Sequence, residues 1–201
     1  MYTYQYPHPA LTADCVVFGY EKKYLHVLLI RRKHPPCMDM WAFPGGFMNI
    51  DEDVESCARR ELNEETGLII SHLYQFGVYS APERDPRERV VSVAYYTLLP
   101  LCEVCGSDDA AEARWFPVDN LPPLAFDHGE MFNNAMESLK MALRVLPVGK
   151  DVLPQRFTIN QFADLYESVC GIGIEKERLQ SRLIEMGVVD LMEDGLICYK
   201  R

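Results

Sequence analysis

The chain of 201 residues contains no run of about 18 apolar residues, the length a helix needs to cross a bilayer. Its start, Met1 to Pro9, carries neither the basic region nor the apolar stretch of a signal peptide. A cytoplasmic protein with no membrane partner is therefore expected. Positive charge is scarce, and a net charge of −10 disfavours nonspecific adhesion to nucleic acid or anionic membranes while leaving room for a local basic face. Paired cysteine is lacking as well: the seven cysteines form an odd set without a disulfide-like rhythm, consistent with a reducing compartment. Cys102-x-x-Cys105 has no second pair or histidines at ligand spacing nearby, so loop or strand-end thiols are expected there rather than zinc. Nothing suggests disorder. With 48% hydrophobic and 25% charged residues, the chain can bury one sizeable core and a small second one.

What is present is concentrated between Gly46 and Leu68. Five residues separate Gly46 from Glu52, and seven separate Glu52 from the run Arg60-Glu61-Leu62-Asn63-Glu64-Glu65-Thr66-Gly67-Leu68. At about 100° per residue, Glu61, Glu64 and Glu65 share one side of a helix while Ala58 and Leu62 turn toward a core. Like charges this close repel unless a cation joins them, and hard oxygen ligands in a partly open cluster suit Mg²⁺ or Mn²⁺ shared with substrate phosphates. Pro44-Gly45-Gly46 supplies a tight backbone in which the Gly46 carbonyl is free to turn toward a metal. Asp51 or Asp53 can cap the helix, Gly67 can end it, and Arg60 can hold a neighbouring glutamate by a bidentate pair. A solvated acidic helix would need neither the glycine spacing nor the isolated Glu52.

This segment resembles the Nudix box of the Nudix hydrolase superfamily at every specified position. The resemblance implies an α/β fold, an α/β/α sandwich with a mixed sheet, and cleavage by water of the diphosphate linkage of a nucleoside diphosphate derivative. It also implies Glu61, Glu64 and Glu65 as the metal-bearing catalytic carboxylates, Gly46 as a further ligand, Arg60 as an orienting group and Glu52 as a support of the loop and helix start. The general base differs across the superfamily and stays unassigned.

The order of elements fits. Residues Thr12 to Tyr20 and Tyr24 to Arg32 read as a hairpin, and Pro35-Pro36 forces a loop. A helix over roughly 53–66 follows, then strands near 70–79, 89–98 and 112–117 and a helix over about 127–145. The domain is drawn as 1–146, with a linker over 147–156 and a small domain over 157–201. In the last part Thr158 can cap a helix running to Cys170, and a second helix runs from about Glu175 to Met186. The short segments Val188 to Met192 and Leu196 to Tyr199 complete a pattern similar to a winged helix-turn-helix.

A Nudix domain followed by a winged helix resembles the Nudix-related transcriptional regulators, which sense ADP-ribose or a sugar. Arg84-Asp85-Pro86-Arg87, Val90 to Tyr96 and Leu124-Ala125-Phe126-Asp127-His128 resemble them too. This resemblance implies ADP-ribose as ligand or substrate, duplex DNA as a partner of the C-terminal domain, and a homodimer. From Arg156 to Arg201, six basic residues face eight acidic ones, which is light equipment for a phosphate backbone. DNA binding and a packing or dimerisation role both stay open. Arg84, Arg87 and Arg89 can meet substrate phosphates or form a self-paired loop. Phe126 and the aromatics of Phe76 to Tyr79 can stack on adenine or fill the core. His128 can position a ligand or serve packing.

Overall fold

The computed structural model describes residues 5–106, 110–145 and 148–200. Contacts divide the chain into two compact units, one of residues 1–17, 27–97 and 103–135 and the other of 18–26, 98–102 and 136–201. The chain-order boundary expected at 146 and 147 lies outside the described residues, as does Arg201.

Two long apolar strands, β1 (Ala10–Glu21) and β2 (Tyr24–Arg32), form the centre of a seven-stranded sheet. Residues 13, 15–18 and 27–29 are completely buried, so both faces of these strands are covered, and their sequence runs apolar instead of alternating. The path is completed by β3 (Trp41–Ala42), β5 (Tyr74–Tyr79) and β6 (Val90–Pro100), in the order β3-β2-β1-β6-β5. Off that path, β4 (Gly45–Phe47) pairs with β1 and β7 (Ala110–Pro117) with β2. The α/β class expected from the sequence is the one observed.

Helix α1 (Val54–Thr66) begins where Asp53 Oδ1 accepts the Ser56 N–H at 2.8 Å, so Asp53 rather than Asp51 is the cap. It ends at Gly67, whose φ of 74° is the left-handed conformation that glycine adopts without strain. Ala58 and Leu62 are fully buried, as the helical spacing requires. Helix α2 (His128–Val145) follows the loop after β7.

The second unit contains a 3-10 turn (Val148–Asp151), α3 (Ile159–Cys170), α4 (Lys176–Glu185) and the hairpin β8 (Val189–Leu191) and β9 (Ile197–Tyr199). The stretch expected to be plain linker thus carries a turn in which Val148 and Gly149 are buried. Thr158 and Gln161 form a reciprocal capping box at the start of α3. Phe157, Phe162, Leu165 and Leu183 are buried here, and Phe157 forms an isolated antiparallel bridge to β9 through two backbone hydrogen bonds with Ile197 at 2.8 and 2.9 Å. The tip of the β1–β2 hairpin belongs to this unit, with Lys23 paired to Asp164 at 2.8 Å. Among the described residues no helix is long and apolar enough to cross a membrane.

Candidate active site

Strand β4 brings the glycines to the helix. Asp14 of β1 lies opposite Gly45 and Ala13 opposite Gly46. A Cβ on Gly45 would stand 2.3 Å from the Ala13 carbonyl oxygen, and one on Gly46 would stand 2.4–2.5 Å from the carboxylate atoms of Glu61. Gly46 is therefore a seat: Glu61 occupies the space a side chain would fill.

Arg60 organises the acids. Its Nε and Nη2 make a bidentate pair with Glu52 at 3.0 and 2.6 Å, and Nη1 donates to Glu61 at 2.8 Å and to Glu64 at 2.9 Å. Nη2 also donates to the Phe47 carbonyl at 3.1 Å. The bidentate partner is thus Glu52 and not one of the adjacent glutamates. Arg60, backed by the Asn49 N–H, holds the Glu52 carboxyl down to about 2, so Glu52 stays charged. Glu52 in turn links the loop after β4 to the middle of α1.

Glu65 points elsewhere. It is 8% exposed and accepts the Gly45 N–H at 2.9 Å. Burial pushes it up to about 8, against the pull of that N–H, and the negative charges of Glu61 and Asp14 add to the rise. Glu61 is also raised, again mainly by burial. Among the described residues no three acids, histidines or cysteines meet closely enough to enclose an ion as they stand. The expected convergence of Glu61, Glu64 and Glu65 is divided here between Arg60, which draws the first two, and Gly45, which draws the third. Each of the three nevertheless keeps one oxygen to which no group donates among the described residues. Free carboxylate oxygens, a raised buried acid and a glycine seat form a donor set that suits a hard divalent cation.

A cavity of about 300 Å³ opens beside this cluster. Gly45, Gly46 and Glu65 line one side, and Arg84, Arg87 and Phe126 line another. Three of the four residues expected to bind substrate are therefore brought to the same cavity. Arg89 is not; it is exposed and donates to the Ala81 carbonyl at 3.2 Å. Arg87 pairs within its own loop, with Asp85 at 2.6 Å, whereas Arg84 leaves the loop to form a fork with Asp127. Burial acts to lower the Arg84 pKa, but the hydrogen bonds that Arg84 donates to Asp127 and the negative charge of the nearby Asp14 outweigh this, so the cation is retained. Arg32 lies over the Phe126 ring, 4.8 Å from its centroid.

Near Arg84 and His128 stands an acid that the sequence did not single out. Asp14 is 8% exposed and accepts the Ser92 hydroxyl, with Arg84 Nη2 at 4.0 Å and His128 Nε2 at 3.7 Å. The one signal available was an acid inside an otherwise apolar strand, since buried acids are rare without partners.

The NUDIX domain family matches residues 8–135 of the chain. The ADPR responsive transcriptional repressor NtrR of Acinetobacter baylyi is 31% identical over 201 residues, covering 98% of this chain and 80% of the relative. An ADP-ribose pyrophosphatase of Methanocaldococcus jannaschii is 42% identical over 131 residues, 65% of this chain and 75% of the relative. The crystal structure of Shewanella oneidensis NrtR complexed with a 27mer DNA has a TM-score of 0.76 at 26% identity, covering 94% of this chain and 93% of that one.

Proposed function

Because the chain belongs to the NUDIX family, we propose that it hydrolyses the diphosphate linkage of a nucleoside diphosphate derivative, with ADP-ribose as the substrate and AMP and ribose 5-phosphate as the products. The observation that carries this reading is the seat made by Gly46 for Glu61, on a helix whose Glu64 and Glu65 also keep an oxygen unengaged among the described residues. Glu61, Glu64 and Glu65 would hold Mg²⁺ or Mn²⁺, with the Gly46 carbonyl as a further donor. When bound, such an ion neutralises the diphosphate and lowers the pKa of a coordinated water. Arg84 and Arg87 line the same cavity as Glu65 and offer guanidinium donors to the phosphates, and Phe126 offers an aromatic ring. Arg60 and Glu52 fix the helix against the glycine loop. Attack of water on one phosphorus breaks one P–O bond of the diphosphate bridge and leaves two phosphate monoesters. Incubation with ADP-ribose and Mg²⁺ in ¹⁸O water tests this: AMP and ribose 5-phosphate form, with one ¹⁸O in one of them. Absence of both products contradicts the reading.

A second activity in the same chain is regulation of DNA binding by the bound nucleotide. Its specific support is α4: Lys176, Arg178 and Arg182 are exposed and have no acidic partner among the described residues, in contrast to Lys200, paired with Asp190 at 3.4 Å. These three cations are free for phosphates. We take residues 157–201 as the winged-helix part. A homodimer would double the small basic face. All seven cysteines are free thiols, which fits a reducing cytoplasm. Anisotropy of labelled duplex DNA with the full chain, at several salt concentrations and with and without ADP-ribose, tests this activity. Salt-sensitive binding altered by ADP-ribose supports it, and binding indifferent to ADP-ribose opposes it.

A further inference from the structure

His128, the first residue of α2, is 4% exposed, and its ring stacks on Phe43 with centroids 5.3 Å apart and planes 9° from parallel. Its Nδ1 accepts the backbone N–H of Phe43 at 3.0 Å, across 85 residues of sequence. An acceptor nitrogen carries no proton, so the ring hydrogen of the neutral imidazole sits on Nε2, toward Asp14. The segment after Phe43 is the one that builds the acidic site. It is fastened residue by residue: Phe43 N to His128, the Pro44 carbonyl to the Cys15 N–H at 2.8 Å, and Gly45 N to Glu65 at 2.9 Å. Gly46, the seat of Glu61, comes next.

We propose that His128 is a positioning residue of this site, a buried neutral acceptor that sets the height of residues 43–46 and through them the places of Glu65 and the Gly46 carbonyl. Among the described residues no hydrogen bond joins it to either group. The inference rests on the hydrolase reading for its consequence and on the Phe43 contact for its substance. Packing alone would be served by any apolar side chain of similar volume. Satisfying the Phe43 N–H requires an acceptor at the δ position, because that donor is buried and an unmet donor is costly. Asparagine supplies such an acceptor, since its Oδ1 is the same number of bonds from Cα as Nδ1; leucine does not.

The experiment compares the full-length wild type with His128→Asn and His128→Leu by amide hydrogen exchange at Phe43 and Gly45, Mn²⁺ affinity from water proton relaxation, and ADP-ribose kinetics. His128→Leu is expected to speed exchange at both amides, to weaken Mn²⁺ binding by about tenfold, as loss of an outer support does, and to lower kcat more than it raises KM. His128→Asn is expected to restore most of each. Equal behaviour of the two variants in Gly45 exchange and Mn²⁺ affinity would overturn the proposal and leave His128 a packing residue. In the wild type alone, Mg²⁺ titration should move the His128 Nδ1 and Gly45 amide resonances together; a His128 resonance that ignores the metal also overturns it, and this holds if His128→Leu does not fold. Should the wild type bind Mn²⁺ without cleaving ADP-ribose, the hydrolase reading falls, while exchange and affinity still decide the role of His128.

Discussion

Arg84 is forked onto Asp127 by two hydrogen bonds, Nε to Oδ2 at 2.8 Å and Nη2 to Oδ1 at 2.7 Å. The Arg84 side chain is 5% exposed, yet it lines the cavity, so the carboxylate that compensates its charge also decides where its guanidinium stands. The loop around it is held by Phe126, whose φ of 53° lies in the left-handed region that bulky residues avoid. That turn is stabilised by the Ala125 N–H bonding the Trp41 carbonyl at 2.8 Å.

Asp127→Asn removes the charge and one of the two acceptors while leaving Arg84 buried, with Asp14 at 4.0 Å and the nearby Asp85 as remaining anions. A loss of about 3 kcal/mol in stability is expected, the usual cost of breaking a buried pair by one partner. A rise in KM for ADP-ribose is expected with it. Urea unfolding and steady-state kinetics check the two effects separately.

Gly46→Ala and Gly45→Ala should fail in different ways. At Gly46 the atoms nearest the new methyl are the far end of the flexible Glu61 side chain, which can swing aside, so stability changes little while turnover falls by roughly a hundredfold, as for an ångström-scale misplacement of a reacting group. At Gly45 the methyl meets the Ala13 backbone carbonyl, which cannot move cheaply, and the midpoint of thermal unfolding should drop sharply. Thermal melts and kcat for both variants provide the check.

Stability should depend on the protonation of His128. Burial lowers its pKa below the usual value, so between that lowered pKa and about 6.5 the unfolded chain binds more protons than the folded one. The contribution is therefore fully present above about pH 6.5 and is lost as the pH falls below it. His128→Asn, which keeps the acceptor and cannot titrate, should flatten this part of the stability profile. Denaturation midpoints from pH 7.5 to 5 measure it.

Arg178→Ala should weaken DNA binding without changing ADP-ribose hydrolysis. Loss of one phosphate contact reduces the salt slope of log K by about 1. The measurement is anisotropy at four or five salt concentrations, alongside turnover.

Much of this arrangement was legible in the sequence where the signal is local. The glycine and glutamate spacing, the caps at Asp53 and Thr158 and the terminating Gly67 act within a few residues of themselves, and the helices fall within a residue or two of the expected limits. The short strands β3 and β4 were not legible, because two or three residues show no period and their pairing is imposed by β2 and β1. Strand β5 begins at Tyr74 instead of near residue 70, since residues 70–73 make no ladder with β6. The contacts of Asp14 with Ser92 and His128 were hidden for the same reason: they join residues 78 apart and more, and only the folded sheet brings them together. Arg60 choosing Glu52 as its bidentate partner is intermediate, since both residues were singled out but the pairing depends on the path of the loop after Gly46.

In the proposed reaction Glu64 and Glu65 serve metal-dependent hydrolysis. Turnover of ADP-ribose with Mg²⁺ by the wild type, Glu64→Gln and Glu65→Gln is the decisive measurement, with circular dichroism to confirm folding. AMP and ribose 5-phosphate are expected from the wild type, with a fall by orders of magnitude in each folded variant. Unchanged turnover in both variants would contradict that role.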